Sequence, residues 1–212
     1  MVLPSVEAAG RLGPQGHIEV ICGPMFSGKT EELIRRLRRA QIARQRVVVF
    51  KPKIDDRYDE VQIVSHSSQR LESLPIETVA EIEPLVQRYE PQVVGIDEAQ
   101  FFDESLLDTV EALADRGIRV VVAGLDLDYL GRPFGIIPGL LAIAESITKQ
   151  LAVCMVCGAP AARSQRVSVT LEEAGRDGQV EVGAAESYEA RCRRCFVRGL
   201  DVPAAPLMTT GT

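Results

Sequence analysis

The segment Gly23-Pro24-Met25-Phe26-Ser27-Gly28-Lys29-Thr30 constrains this chain more than any other. It fits G-x-x-x-x-G-K-[ST] without a gap, with the apolar run Ile18 to Cys22 before it and a helical pattern from Glu31 after it. Its glycines let successive backbone N–H groups turn inward around phosphate oxygens, and the helix that follows directs its positive end at them. Lys29 supplies a charge for the outer phosphates and Thr30 a hydroxyl for Mg²⁺. Strand, loop and helix together specify a nucleoside-triphosphate cradle.

The surrounding pattern predicts an α/β fold of the P-loop NTPase type, a largely parallel sheet flanked by helices. His17 to Cys22, Val47 to Phe50, Val93 to Ile96 and Val120 to Gly124 read as strands; the short continuous β-branched run Val47 to Phe50 fits burial on both faces. Helical spacing places Leu33, Ile34, Leu37 and Ala40 on one face of a first helix, Val79, Ile82, Leu85, Val86 and Tyr89 on a second, and Leu106, Leu107, Val110 and Leu113 on a third that ends at Gly117. Strands and helices alternate, which calls for right-handed crossovers.

Asp97-Glu98 ends the third of these strands. In a phosphate-loop protein the first acid lies across the sheet from Thr30 and helps hold Mg²⁺, while the second faces the transferring phosphate. The charged loop Lys51 to Tyr58 follows the second strand, at the carboxyl end where open α/β sheets meet their ligands. Arg35, Arg36, Arg38 and Arg39 line the outer face of the first helix. They read as a solvated face rather than a nucleic-acid track, because the chain carries a net charge of −6. No apolar run approaches the roughly 20 residues of a membrane span, and no basic-then-apolar leader is present at the N-terminus, so a cytoplasmic protein is expected.

Near residue 150 the character changes. Cys154-Met155-Val156-Cys157 and Cys192-Arg193-Arg194-Cys195 are two C-x-x-C knuckles separated by 34 residues. Four thiolates in that form suit a closed, structural zinc site, and one metal accounts for both pairs more economically than two redox pairs do. Between them, Val167, Val169, Val180 and Val182 alternate around several glycines, as in a β-excursion carrying a long loop that serves as a lid. The expected division is a disordered tail at 1–16, an ATP-binding body at 17–150, a zinc-knuckle domain at 151–200 and a flexible tail at 201–212.

Taken in order, the phosphate loop, Asp97-Glu98-Ala99-Gln100-Phe101-Phe102, Gly124-Leu125-Asp126-Leu127-Asp128-Tyr129, Arg132-Pro133-Phe134-Gly135 and the two knuckles closely resemble the zinc-containing, cytosolic type of thymidine kinase, over about residues 17 to 198. The resemblance implies ATP-dependent phosphorylation of thymidine or deoxyuridine at the 5′-hydroxyl, with Mg²⁺ and a structural Zn²⁺, feedback inhibition by dTTP, and a homotetramer without membrane or stable nucleic-acid partners. It assigns ATP to Gly23 through Thr30 and Asp97 through Gln100, and the role of general base to Glu98, aided by Lys29 and by Arg57 near the transferring phosphoryl. Met25, Asp55, Phe101, Phe102, Tyr129, Phe134, Ser164, Val180, Glu181, Val182, Gly183 and Tyr188 match positions around the nucleoside. Ser164 stands where other members have threonine, so the hydroxyl is kept.

Overall fold

Strands that are apolar on both faces are satisfied only between two helical layers, and the central strands are buried in this way. The computed structural model describes residues 16–53, 62–64, 70–168, 188–199 and 202–203. The chain runs β1 (His17–Gly23), α1 (Lys29–Ile42), β2 (Val47–Pro52), an antiparallel pair β3 (Gln62–Val64) and β4 (Arg70–Glu72), β5 (Leu74–Ile76), α2 (Ile82–Tyr89) and β6 (Val93–Ile96). It continues through α3 (Ser105–Asp115), β7 (Arg119–Leu125), α4 (Ile137–Ile143) and β8 (Ser146–Lys149). One six-stranded sheet has the order β5-β2-β6-β7-β1-β8, and every neighbouring pair is parallel.

Successive residues of the central strands enter opposite layers. Val20, Val94, Val120 and Val122 pack with Ile82 and Val86 of α2, Leu106, Val110 and Leu113 of α3, and Ile137 and Leu140 of α4. Ile21, Val49, Val121 and Ala123 pack instead against Leu33, Ile34, Leu37 and Ala40 of α1. Each such Val, Leu or Ile buried completely contributes about 1.5–3 kcal/mol of transfer free energy, so the two faces jointly hold the sheet. The carboxyl ends of β1, β6 and β7 converge on one rim, with β7 between the other two.

Four strands and three helices lie where the sequence pattern puts them, and Gly117 adopts φ 86° just past α3, where its N–H bonds to the Ala114 carbonyl at 2.9 Å. Beyond the pattern lie the β3–β4 pair and, among the sheet and its helices, β5, β8 and α4. β5 carries Pro75 and β8 is a polar edge, with Ser146, Ile147 and Lys149 exposed, so neither shows an apolar run. α4 holds Pro138 near its start and Gly139 after it, which masks its helical period. The arginine face of α1 also differs from a simple solvated stripe. Arg36 is partly buried and donates to Glu32, to Glu19 of β1 and to Thr148 of β8.

The smaller unit contains β9 (Ala152–Val153), β10 (Pro160–Ala161), β11 (Arg163–Ser168), β12 (Tyr188–Arg191) and β13 (Val202–Pro203). β9 pairs with β10, and β11 lies between β12 and β13. Ala152, Cys154, Ala161, Ala190 and Cys192 form its small core, separate from the two clusters of the main sheet. Val202 and Pro203 extend β11 in parallel register against Val167 and Ser168, where the sequence suggests only a tail. Among the described residues no helix is long and apolar enough to cross a membrane.

Candidate active site

β1 ends at Gly23, and the chain then turns through the phosphate loop into α1. Gly28, at φ 81°, occupies the left-handed region that the turn requires before the helix begins. The Ser27 hydroxyl and the Lys29 ammonium both donate to the Pro24 carbonyl, at 2.9 and 2.8 Å, which draws the loop around its own centre. Lys29 is 8% exposed, and this burial pushes its pKa down, against the opposing pull of Glu98 and Asp97. A nearly buried ammonium at a helix start is a strong, directed charge for an anion.

β6 delivers Asp97 to the same rim. Its carboxylate accepts from the Thr30 hydroxyl at 3.1 Å and from the Glu98 N–H at 3.0 Å. Burial first, and then the charge of Glu98, raise the Asp97 pKa well above the usual carboxylate range. A buried carboxylate so placed beside a hydroxyl fits a divalent cation, which would stabilise its ionised form; Thr30 and Asp97 are the residues that would hold Mg²⁺.

Glu98 follows with φ 51° and ψ 40°, a left-handed conformation uncommon outside glycine. The turn Ala99–Phe101 after it buries Gln100 and leaves Phe101 half exposed. Phe101 meets Phe134 edge to face, with ring centres 5.8 Å apart at 81°. Phe102 turns the other way, into the core beneath α2, α3 and α4.

Tyr129 is displayed by a tight loop in which Leu127 bridges Pro133 and the Asp128 carboxylate accepts the N–H groups of Leu130 and Arg132 at 2.9 and 2.8 Å. The Arg166 guanidinium of β11 stacks over the Tyr129 ring at 4.5 Å. Ser164, also on β11, accepts the Met25 N–H at 3.0 Å, joining the smaller unit to the phosphate loop. Tyr188 starts β12, which pairs with β11. Asp55, Arg57 and Val180 to Gly183 lie outside the described residues.

The four knuckle cysteines come together with all their sulfurs within 4.8 Å of one another. Cys157 lies 3.7 Å from Cys192 and 3.6 Å from Cys195, sulfur to sulfur. A tetrahedral zinc with bonds of about 2.3 Å separates its sulfurs by about 3.8 Å, so the donor set and its spacing fit Zn²⁺. Each knuckle closes with backbone bonds, from the Gly158 N–H to the Cys154 carbonyl at 2.9 Å and from the Cys195 N–H to the Cys192 carbonyl at 3.1 Å.

A loop of the G-x-x-x-x-G-K-[ST] form on a parallel α/β sheet, a strand-end acid bonded to its threonine and a four-cysteine knuckle linked to the loop define the class of fold and site. The thymidine kinase family model matches residues 16–196. The chain is 56% identical over 184 residues to a thymidine kinase of Rhodothermus sp. (strain ITI 518), covering 87% of this chain and 83% of that one. It is 54% identical over 189 residues to a thymidine kinase of Bdellovibrio bacteriovorus, covering 89% of each. This chain therefore belongs to the thymidine kinase family.

Three further residues shape this rim without having been singled out by sequence. Asp126, at the end of β7, is buried and paired with Lys149 of β8 at 2.5 Å. Leu125 contributes only its backbone N–H, donated to the Gln100 side chain at 2.9 Å. Leu125 and Asp126 lie inside a quoted motif, which was the available signal; Lys149 had none.

Proposed function

We propose that this protein transfers the γ-phosphoryl group of ATP to the 5′-hydroxyl of thymidine or deoxyuridine. Family membership supports the substrate class, and one observation supports the chemistry: Asp97 bonds Thr30 across the rim while its neighbour Glu98 stands beside buried Lys29. Phosphoryl transfer needs positioning and charge neutralisation more than covalent help, and these residues supply both. Gly23 through Thr30 cradle the phosphates, with Ala99 and Gln100 continuing the acidic turn. Thr30 and Asp97 would hold Mg²⁺, which when bound would supply positive charge against the charge developing on the phosphates. Glu98 receives the hydroxyl proton as the new O–P bond forms, and the β–γ bridging oxygen leaves with its electron pair on ADP. Lys29 steadies the transferred group, and Arg57 joins it there.

Met25, Phe101, Phe102, Tyr129, Phe134, Ser164 and Tyr188 build or back the nucleoside pocket, with Asp55 on the sugar and Val180 to Gly183 over the base. The edge-to-face pair of Phe101 and Phe134 supports an aromatic wall of that kind. Zn²⁺ at Cys154, Cys157, Cys192 and Cys195 is structural. We further place the enzyme in the cytoplasm as a homotetramer under dTTP feedback, on the family resemblance. A DNA-tracking ATPase fits less well, since Arg35 and Arg36 are committed to Glu32 and Glu19. ADP release measured across a panel of nucleosides tests the proposal. Release that depends on thymidine or deoxyuridine is expected; release independent of nucleoside, or stimulated by DNA alone, would overturn it.

A further inference from the structure

Gln100 is 4% exposed, and both ends of its carboxamide are engaged. Its oxygen accepts the Leu125 N–H at 2.9 Å, and its nitrogen donates to Oε2 of Glu98 at 2.5 Å. The orientation follows from chemistry. A backbone N–H can only donate, so the amide oxygen faces Leu125 and the NH₂ group faces the carboxylate. Two glycines clear the seat for this side chain and its backbone. A Cβ at Gly124 would lie 2.9 Å from Gln100 Oε1, and a Cβ at Gly135 would lie 2.5 Å from the Gln100 carbonyl oxygen. Glycines in two separate motifs thus accommodate one buried glutamine.

We propose that Gln100 is a positioning residue that aims Glu98, a role beyond the nucleotide contact its motif suggests; this rests on the reading of Glu98 as the base. Glu98 sits on a left-handed backbone, and three rotatable side-chain bonds separate that backbone from its carboxylate. The amide donor fixes Oε2 and leaves Oε1 to receive the proton of the nucleoside hydroxyl. The O–H bond breaks toward Oε1 while the O–P bond forms. Leu125 anchors the aim, so the end of β7 acts on the chemistry through one side chain.

The test is a double-mutant cycle on the full-length protein with ATP and thymidine, read by single-turnover and steady-state kinetics. Gln100→Glu keeps the length and an acceptor for the Leu125 N–H but removes the donor; Gln100→Met keeps the volume and removes both. Each is expected to lower kcat by about 10–100-fold, the scale of a misaimed catalytic group, with KM for ATP and thymidine within about twofold. In the Glu98→Gln background the same changes should cost nothing further, because the group they aim is gone. A raised KM for ATP with kcat retained would make Gln100 a nucleotide contact and overturn the proposal. So would an equal loss in both backgrounds. If Glu98→Gln alone retains native kcat, the reading of Glu98 fails as well, and that single variant separates the two failures.

Discussion

The Ser164 hydroxyl accepts the Met25 N–H at 3.0 Å, so a strand of the cysteine-bearing unit holds a residue of the phosphate loop 139 positions away. Ser164 is 4% exposed, and removing its oxygen leaves the loop N–H without that acceptor. Ser164→Ala should therefore destabilise the protein by about 1–3 kcal/mol. Ser164→Thr keeps the acceptor and should stay close to native. Urea unfolding of the two variants checks this; equal stabilities would mean that the bond contributes little.

The same link joins the cysteine cluster's unit to the phosphate loop. Cys192 packs in the core from which β11 and β12 lead, so losing one thiolate should loosen the unit that presents Ser164. Elemental analysis should find one zinc per chain, and Cys192→Ser or a chelator should release it with a fall in thermal midpoint. Protein purified without chelators that carries no zinc would contradict the assignment.

Away from the site, Glu19 of β1 binds Arg119 and Arg36 at 2.6 Å each and contacts His17 at 3.0 Å. Burial pushes its pKa up, but these partners outweigh burial and the net shift is downward from 4.5. A depressed folded pKa contributes stability above the unfolded value and loses it as pH falls through the folded one. Glu19→Gln should cost about 1–3 kcal/mol at pH 7, and the gap from native should narrow below about pH 4.5. A gap that is the same at pH 7 and pH 3 would rule out this linkage.

Glu98→Gln keeps the size of the side chain and removes its basicity. Turnover should fall by ~10²–10⁴-fold, while ATP and thymidine still bind at near-native affinity. Calorimetric titration alongside kinetics separates the two effects. Turnover within a few-fold of native would remove Glu98 from the role of base.

What the sequence shows and what it conceals divide along physical lines. The meeting of Thr30 and Asp97 was legible because a loop of this pattern and an acid at a nearby strand end fall on one rim of a parallel sheet, and the two-sided burial of β1 and β7 leaves an apolar run. β8 was hidden because an edge strand can be polar, and α4 because Pro138 and Gly139 interrupt its period. Arg36 reads as surface charge until Glu19, Glu32 and Thr148, from three elements, meet it in space. Gln100 looks like another nucleotide contact. Its anchor is a backbone N–H, which carries no side-chain signature, and the accommodating glycines are 24 and 35 positions on. The Ser164 bond to Met25 likewise depends on a backbone group that no motif records.

The central claim is transfer of phosphate to a nucleoside rather than to water. It is tested most directly by incubating the protein with γ-labelled ATP and thymidine and following the label. The account predicts that label appears in thymidine 5′-monophosphate one for one with ADP, and that little ADP forms without nucleoside. Label recovered as inorganic phosphate, with thymidine unchanged, would contradict it.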